Sequence, residues 1–306
     1  MRDPEELYEV VADLAVVPRG LDLVAGLTGF ADAGHAVAQL SDHLIDALPG
    51  QELIRFDNDE LLDYRSRRPI MTFESTRLTD YAPSELSLEL LEDELGTPFL
   101  LLAGYEPDLQ WERFAAAVIG IVEELGVART TWVHAVPMPV PHTRPIGVTI
   151  SGTREDLIEQ LSIWRPNTQL PSTALHLIEY RLQELGHSVA GIALLVPHYL
   201  GDTNYPNAAV AALESITTAT GLVFPTDELR ADGRDYLTKI EEQVGTNAEL
   251  QRLIEGLERR HDSYMEENPL PSLLTDSAGN LPTADQIADE LQKFLARQRD
   301  EGRDLD

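Results

Sequence analysis

Residues 111–137 read WERFAAAVIGIVEELGVARTTWVHAVP and residues 174–197 read ALHLIEYRLQELGHSVAGIALLVP, and the two stretches carry one pattern twice. In the first, Trp111, Phe114, Ala115, Val118, Val122 and Leu125 recur at helical spacing as far as Gly126. In the second, Leu175, Ile178, Leu182 and Leu185 do the same as far as Gly186. Glu-Leu-Gly closes both helices, at 124–126 and 184–186, and glycine supplies the left-handed residue that ends a helix. An apolar run then leads to Val136-Pro137 and to Val196-Pro197, at the same distance from its glycine in each copy. A helix feeding an apolar strand, twice over, predicts crossovers packed on one common sheet. Two copies do not make a solenoid.

Working outward, Leu21 to Leu27 is a short apolar strand that leads through Thr28-Gly29-Phe30-Ala31-Asp32-Ala33-Gly34 into a helix ending near Leu48. Strand-like runs follow at 51–56, 69–74, Leu86–Leu91 and Phe99–Ala103. Together these predict an α/β fold with a mixed, mostly parallel sheet flanked by helices. Asp3-Pro4-Glu5-Glu6 has the form of a helix start, and Leu7, Val10, Val11 and Leu14 continue it at helical spacing. Asp235–Val244 and Ala248–Met265 read as amphipathic helices, with Leu250, Leu253, Ile254, Leu257 and His261 on one face of the second. Thr246-Asn247-Ala248-Glu249 has capping-box form. A turn-rich linker from Asn268 to Pro282 precedes a last helix from Thr283, striped by Ile287, Leu291, Phe294 and Leu295. The organisation expected is an α/β core domain over 1–225 and a helical C-terminal extension over 226–306. The stripes at 248–265 and 287–295 exceed what a small helical subdomain buries, so a homo-oligomer is expected.

The 306 residues include 53 Asp and Glu against 23 Lys and Arg, a net charge of −30. Such a surface repels phosphate backbones and anionic lipid, so neither nucleic acid nor membrane is an expected partner. With 43% hydrophobic residues the chain can bury a core without staples. The absence of cysteine excludes disulfides, a thiol nucleophile and thiolate metal sites. The N-terminus is acidic and unlike a signal peptide, and no apolar run reaches membrane-spanning length, which together suggest the cytoplasm.

Four loops beyond predicted strands hold the candidate site residues. Gly29, Asp32 and Gly34 lie where a strand opens into a helix, a place for anion-binding backbone N–H groups or for a tight turn. Glu106, in Gly104-Tyr105-Glu106-Pro107-Asp108, has the chemistry of a general base or amine ligand, and equally that of a helix-capping acid. His142 and Arg144 sit in the proline-fixed run Pro137-Met138-Pro139-Val140-Pro141-His142-Thr143-Arg144-Pro145. They suit an acid–base group and a carboxylate clamp, or a stiff loop whose arginine pairs with a nearby acid. His198 follows the second Val-Pro strand. Recognised catalytic, nucleotide and metal signatures are missing, and His134 and His142 lack metal-ligand spacing, so no cofactor is expected. All four loops follow the carboxyl ends of strands, where ligands bind in open α/β sheets, so one shared cleft is expected.

Taken with their order, these pieces resemble the proteasome assembly chaperone family in its bacterial branch. The matching stretches are Gly29–Gly34, Gly104–Pro107, His142–Pro145, Leu170-Pro171-Ser172-Thr173-Ala174 and Val196-Pro197-His198-Tyr199. The resemblance spans roughly residues 15–220. It implies a phosphorylase/hydrolase-like fold without an established catalytic centre, homo-oligomers, and binding to proteasome subunits. Docking tails in such relatives end with a hydrophobic residue, a tyrosine and one final residue, whereas this sequence ends Arg303-Asp304-Leu305-Asp306. The extension is therefore expected to serve self-association. The function expected is a non-catalytic, assembly-chaperone-like protein. The alternative is an enzyme on the same scaffold acting on a small molecule through Glu106, His142, Arg144 and His198, with a carboxylate–amine ligase as a weaker form.

Overall fold

The computed structural model describes residues 2–30 and 32–268. The linker beyond Asn268, the helix expected from Thr283 and the tail lie outside the described residues. In chain order the strands are β1 (Tyr8–Val10), β2 (Asp22–Thr28), β3 (Gly50–Phe56), β4 (Ile70–Glu74), β5 (Arg77–Ala82), β6 (Leu86–Glu92), β7 (Pro98–Tyr105), β8 (Arg129–Met138), β9 (Gly147–Gly152) and β10 (Val189–Pro197). The helices are α1 (Ala36–Ala47), α2 (Asn58–Leu61), α3 (Trp111–Leu125), α4 (Glu155–Leu161), α5 (Ala174–Glu184), α6 (Pro206–Thr220), α7 (Asp227–Thr246) and α8 (Ala248–Glu267).

Eight strands form one sheet in the order β1-β3-β6-β7-β2-β8-β10-β9. Its centre, β7-β2-β8-β10, is parallel, and antiparallel strands complete both sides. The twin units lie side by side. β8 and β10 pair along their whole length, with Leu195 opposite Val136 and Val196 opposite Pro137. Alternation along the central strands divides the core. Val24, Leu101, Val133, Ile192 and Leu194 face α1 and α6, whereas Leu23, Leu100, Leu102 and Trp132 face α3 and α5. Gly126 ends α3 in the left-handed conformation, φ 62°, so that its N–H and the next turn close the helix. Leu229 and Ile240 of α7 join the α1–α6 side of the core.

Three local expectations change. The segment after Pro4–Leu7, a single 3-10 turn, is not helical: Tyr8–Val10 instead pairs antiparallel with β3. The outer edge of β3 has a row of backbone groups that needs partners, and a short edge strand supplies them more completely than a helix could. The 69–74 run is a strand, but β4 pairs only with β5, in a two-stranded hairpin apart from the main sheet. Its apolar side chains, Ile70, Met71 and Phe73, stay exposed instead of packing on the core. At α8 the cap is Asn247, whose side chain accepts from the N–H groups of Glu249 and Leu250, rather than Thr246. The α8 stripe is partly consumed within the chain, because Ile254 and Leu257 are buried and Leu253 is exposed.

Candidate functional site

Parallel strands end on one edge, so the loops after β7, β2, β8 and β10 emerge together at Tyr105, Thr28, Met138 and Pro197. An open cleft of 690 Å³ lies there, with Gly29, Phe30, Asp32, His35, His198 and Asp202 among its walls. Of the residues predicted from sequence, Gly29, Asp32 and His198 line it. Gly34 stands beside it, while Glu106, His142 and Arg144 face elsewhere.

Each of the others has a structural partner. Glu106 is buried between two chain segments. Its Oε1 accepts from the Ala174 N–H at the start of α5 (2.7 Å), and its Oε2 accepts from the Phe30 N–H (3.4 Å). Gly29 makes this possible, since a Cβ there would lie 2.5 Å from Glu106 Oε2 and 2.7 Å from its Cβ. Asp32 caps α1, accepting from Val37 N (2.7 Å) and Ala38 N (3.2 Å). Burial raises its pKa from the ordinary carboxylate value, and the two amides oppose that rise. Gly34 ties the loop to the one after β10: its N–H donates to Gly201 O (2.8 Å) and its carbonyl accepts from Tyr205 N (2.9 Å).

The proline-fixed loop is the seat of α8. Arg144 forks onto Asp262, with Nε to Oδ1 at 2.9 Å and Nη2 to Oδ2 at 2.7 Å. Thr143 Oγ1 donates to Glu258 at 2.5 Å. Arg144 holds the Asp262 carboxyl down at about 2. His142 is buried beside Tyr199, whose hydroxyl accepts the His142 backbone N–H (2.8 Å) and pairs with its Nδ1 (2.7 Å). Burial lowers the pKa of the ring, although Glu241 and Glu258 pull the other way. Burial likewise pushes the Tyr199 hydroxyl up to about 12. His198 stays exposed, 3.3 Å from Met138 O.

Chemically, the cleft is sparse. None of Asp32, His35, His198 and Asp202 is hydrogen-bonded to a serine or threonine hydroxyl, so the described residues assemble no activated nucleophile there. Among the described residues no group of three or more His, Cys, Asp or Glu side chains is placed to hold a metal ion.

The PAC2 family model matches residues 26–244. The chain belongs to the PAC2 family. A Corynebacterium glutamicum protein of unknown function is 37% identical with a TM-score of 0.80, over 85% of this chain and 98% of that one. A Mycobacterium tuberculosis protein of unknown function is 43% identical with a TM-score of 0.79, over 85% and 90%. A proteasome-assembly chaperone homologue from M. tuberculosis shares the fold at 20% identity and a TM-score of 0.69, over 76% and 100%. No curated protein matches the sequence significantly.

In this PAC2 family chain the loops that carry the family resemblance act as joints between elements. The Arg144 joint gives a direct expectation. Arg144→Ala should speed hydrogen exchange across α8 while leaving the exchange of β2, β7, β8 and β10 unchanged, as read by mass spectrometry. Because Asp262 is held below its ordinary value, the joint is present above the ordinary carboxylate range and is lost only as pH falls through about 2. Equal protection of α8 in wild type and variant would show that the ion pair anchors nothing.

Sequence reasoning missed a second polar cluster, beneath the sheet on the α3–α5 side. His134 lies tilted against Trp132 (5.0 Å between ring centres) and edge to face with His176 (5.1 Å), which also meets Trp132 edge-on (4.8 Å). Its Nδ1 is enclosed without a hydrogen-bond partner. Glu179, also buried, accepts from Trp132 Nε1 (2.7 Å), Ser151 Oγ (2.8 Å) and Gln183 Nε2 (2.8 Å). Burial raises its pKa. The only sequence signal was a histidine inside the apolar run of β8. His35 and Asp202 were also missed.

Proposed function

We propose that this PAC2 family protein is a non-catalytic protein-binding or assembly factor that works as a homo-oligomer. The β4–β5 hairpin carries the reading. Ile70, Met71, Phe73, Leu78 and Tyr81 are all exposed on it, from 47% to 76%. An isolated two-stranded hairpin is marginal in water, and a contiguous exposed apolar patch marks a contact surface. The engagement of Glu106, Asp32, His142 and Arg144 in internal bonds supports the same reading over the phosphorylase-like enzyme. The relative called a proteasome-assembly chaperone homologue suggests proteasome subunits as partners. The acidic surface argues against nucleic acid and membranes as partners, and the cysteine-free composition suits the cytoplasm. No described helix is long and apolar enough to cross a membrane.

Native mass spectrometry of the full chain mixed with separately purified proteasome α and β subunits tests the partner. A complex of defined stoichiometry with unassembled subunits is the expected result, weakened in a Phe73→Ser, Leu78→Ser variant. No complex with either subunit would overturn the proteasome assignment. Turnover of a small substrate abolished by His198→Ala would favour the enzyme.

A further inference from the structure

Beside α8 lies a second cavity, of 240 Å³, that shares no lining residue with the polar cleft. Val140 from the proline-fixed loop, Leu195 of β10, Ile163 and Trp164 after α4, and Met265 of α8 form its walls. The space equals about eight water molecules, but an apolar cavity gives water few partners. It lies below the roughly 300 Å³ at which drug-sized sites begin, so it suits one ring or a short chain and excludes a nucleotide. The polar side chains stand on one wall. Arg260 and His261 line the cavity from α8, and Arg260 makes no ion pair among the described residues.

Neighbouring groups decide the sign of the ligand. Asp262, the acid next to His261, is occupied by the Arg144 fork, so it does not attract a cation to this site. Tyr264, on the same wall, already donates its hydroxyl to Ile163 O at 3.0 Å. Arg260 therefore stands at the edge of a ring-sized pocket whose other walls are mostly apolar. We propose that this cavity binds a small monocarboxylic acid with an apolar body, aromatic or short-chain aliphatic, whose carboxylate meets Arg260. The body replaces water against Trp164 and Val140, and the head makes a charge-assisted bond that a neutral analogue lacks. Since α8 and the sheet edge form opposite walls, an occupied cavity also bridges them. The assignment does not depend on the assembly role.

Titration calorimetry on the full-length chain tests it, with phenylacetate, hexanoate and octanoate as probes and the matching amides as neutral controls. At least one acid should bind at submillimolar concentration, and its amide about tenfold more weakly. Arg260→Ala, at an exposed position that should not disturb folding, is expected to abolish the preference for the acid while leaving amide binding as it was. Val140→Trp fills the cavity and should eliminate binding of both forms, with retained circular dichroism and melting temperature checking that it folds. Failure of all three acids to bind at millimolar concentration would overturn the proposal. So would acid binding that survives both substitutions, which would place it elsewhere on the surface.

Discussion

Glu106→Ala should lower the unfolding free energy by about 3 kcal/mol in urea titrations near neutral pH. The change strands the Ala174 and Phe30 N–H groups and opens a void between the β2 loop and α5. Glu106→Gln keeps an acceptor for Ala174 and should lose about 1 kcal/mol. Gly29→Ala sharpens the test, because its clash is with Glu106 itself. Alone it should cost about 1–3 kcal/mol by overpacking. In the Glu106→Ala background it should cost clearly less, because the approach to Oε2 is gone while the 2.7 Å approach to the Cβ of residue 106 remains, and this non-additivity is the signature of direct contact. A catalytic Glu106 would give the opposite pattern, with loss of activity and little loss of stability.

His134→Phe should make the protein more resistant to acid. Burial, and secondarily the neighbouring His176, lower the His134 pKa from 6.5 to about 3. The folded state therefore keeps this ring neutral while the unfolded chain takes up a proton below about pH 6.5. Stability is lost as pH falls through that window, by about 1.4 kcal/mol per unit and so about 3 kcal/mol near pH 4.5. Phenylalanine preserves the ring contacts with Trp132 and His176 and removes the titration. The difference between variant and wild type should be small at pH 7.5 and should grow on acidification. His176, whose pKa burial also lowers, leaves a residual slope of the same sign in both proteins. A pH-independent difference would show that His134 is already solvated in the folded protein.

The parallel centre of the sheet was legible because its signal is dense. Two helix–glycine–strand units of matched length determine β8 and β10, and uninterrupted apolar runs determine β2 and β7. Strand type also placed the four loops on one edge. What the loops do there was not legible. Glu106 meets Ala174 across 68 positions, and Arg144 meets Asp262 across 118, distances over which no local pattern operates. The bonding of His142 to Tyr199 depends likewise on the β8–β10 register. At the N-terminus, helical spacing in Leu7, Val10, Val11 and Leu14 was overridden by the demand of β3 for an edge partner. Only the first strand of the hairpin was legible, in the 69–74 run; β5 was missed, and strands with both faces exposed give no sign of which surface covers them.

The role proposed for the chain rests on that uncovered hairpin. Multi-angle light scattering of the full-length protein in physiological salt, over a dilution series in the micromolar range, addresses it directly. It should be run beside the Phe73→Ser, Leu78→Ser variant, whose two substitutions lie on exposed side chains and should leave the melting temperature close to wild type. The predicted result is an integral multiple of the chain mass for the wild type and the mass of a single chain for the variant. A wild-type monomer at every concentration, or an assembly that the variant leaves intact, would contradict self-association through the hairpin.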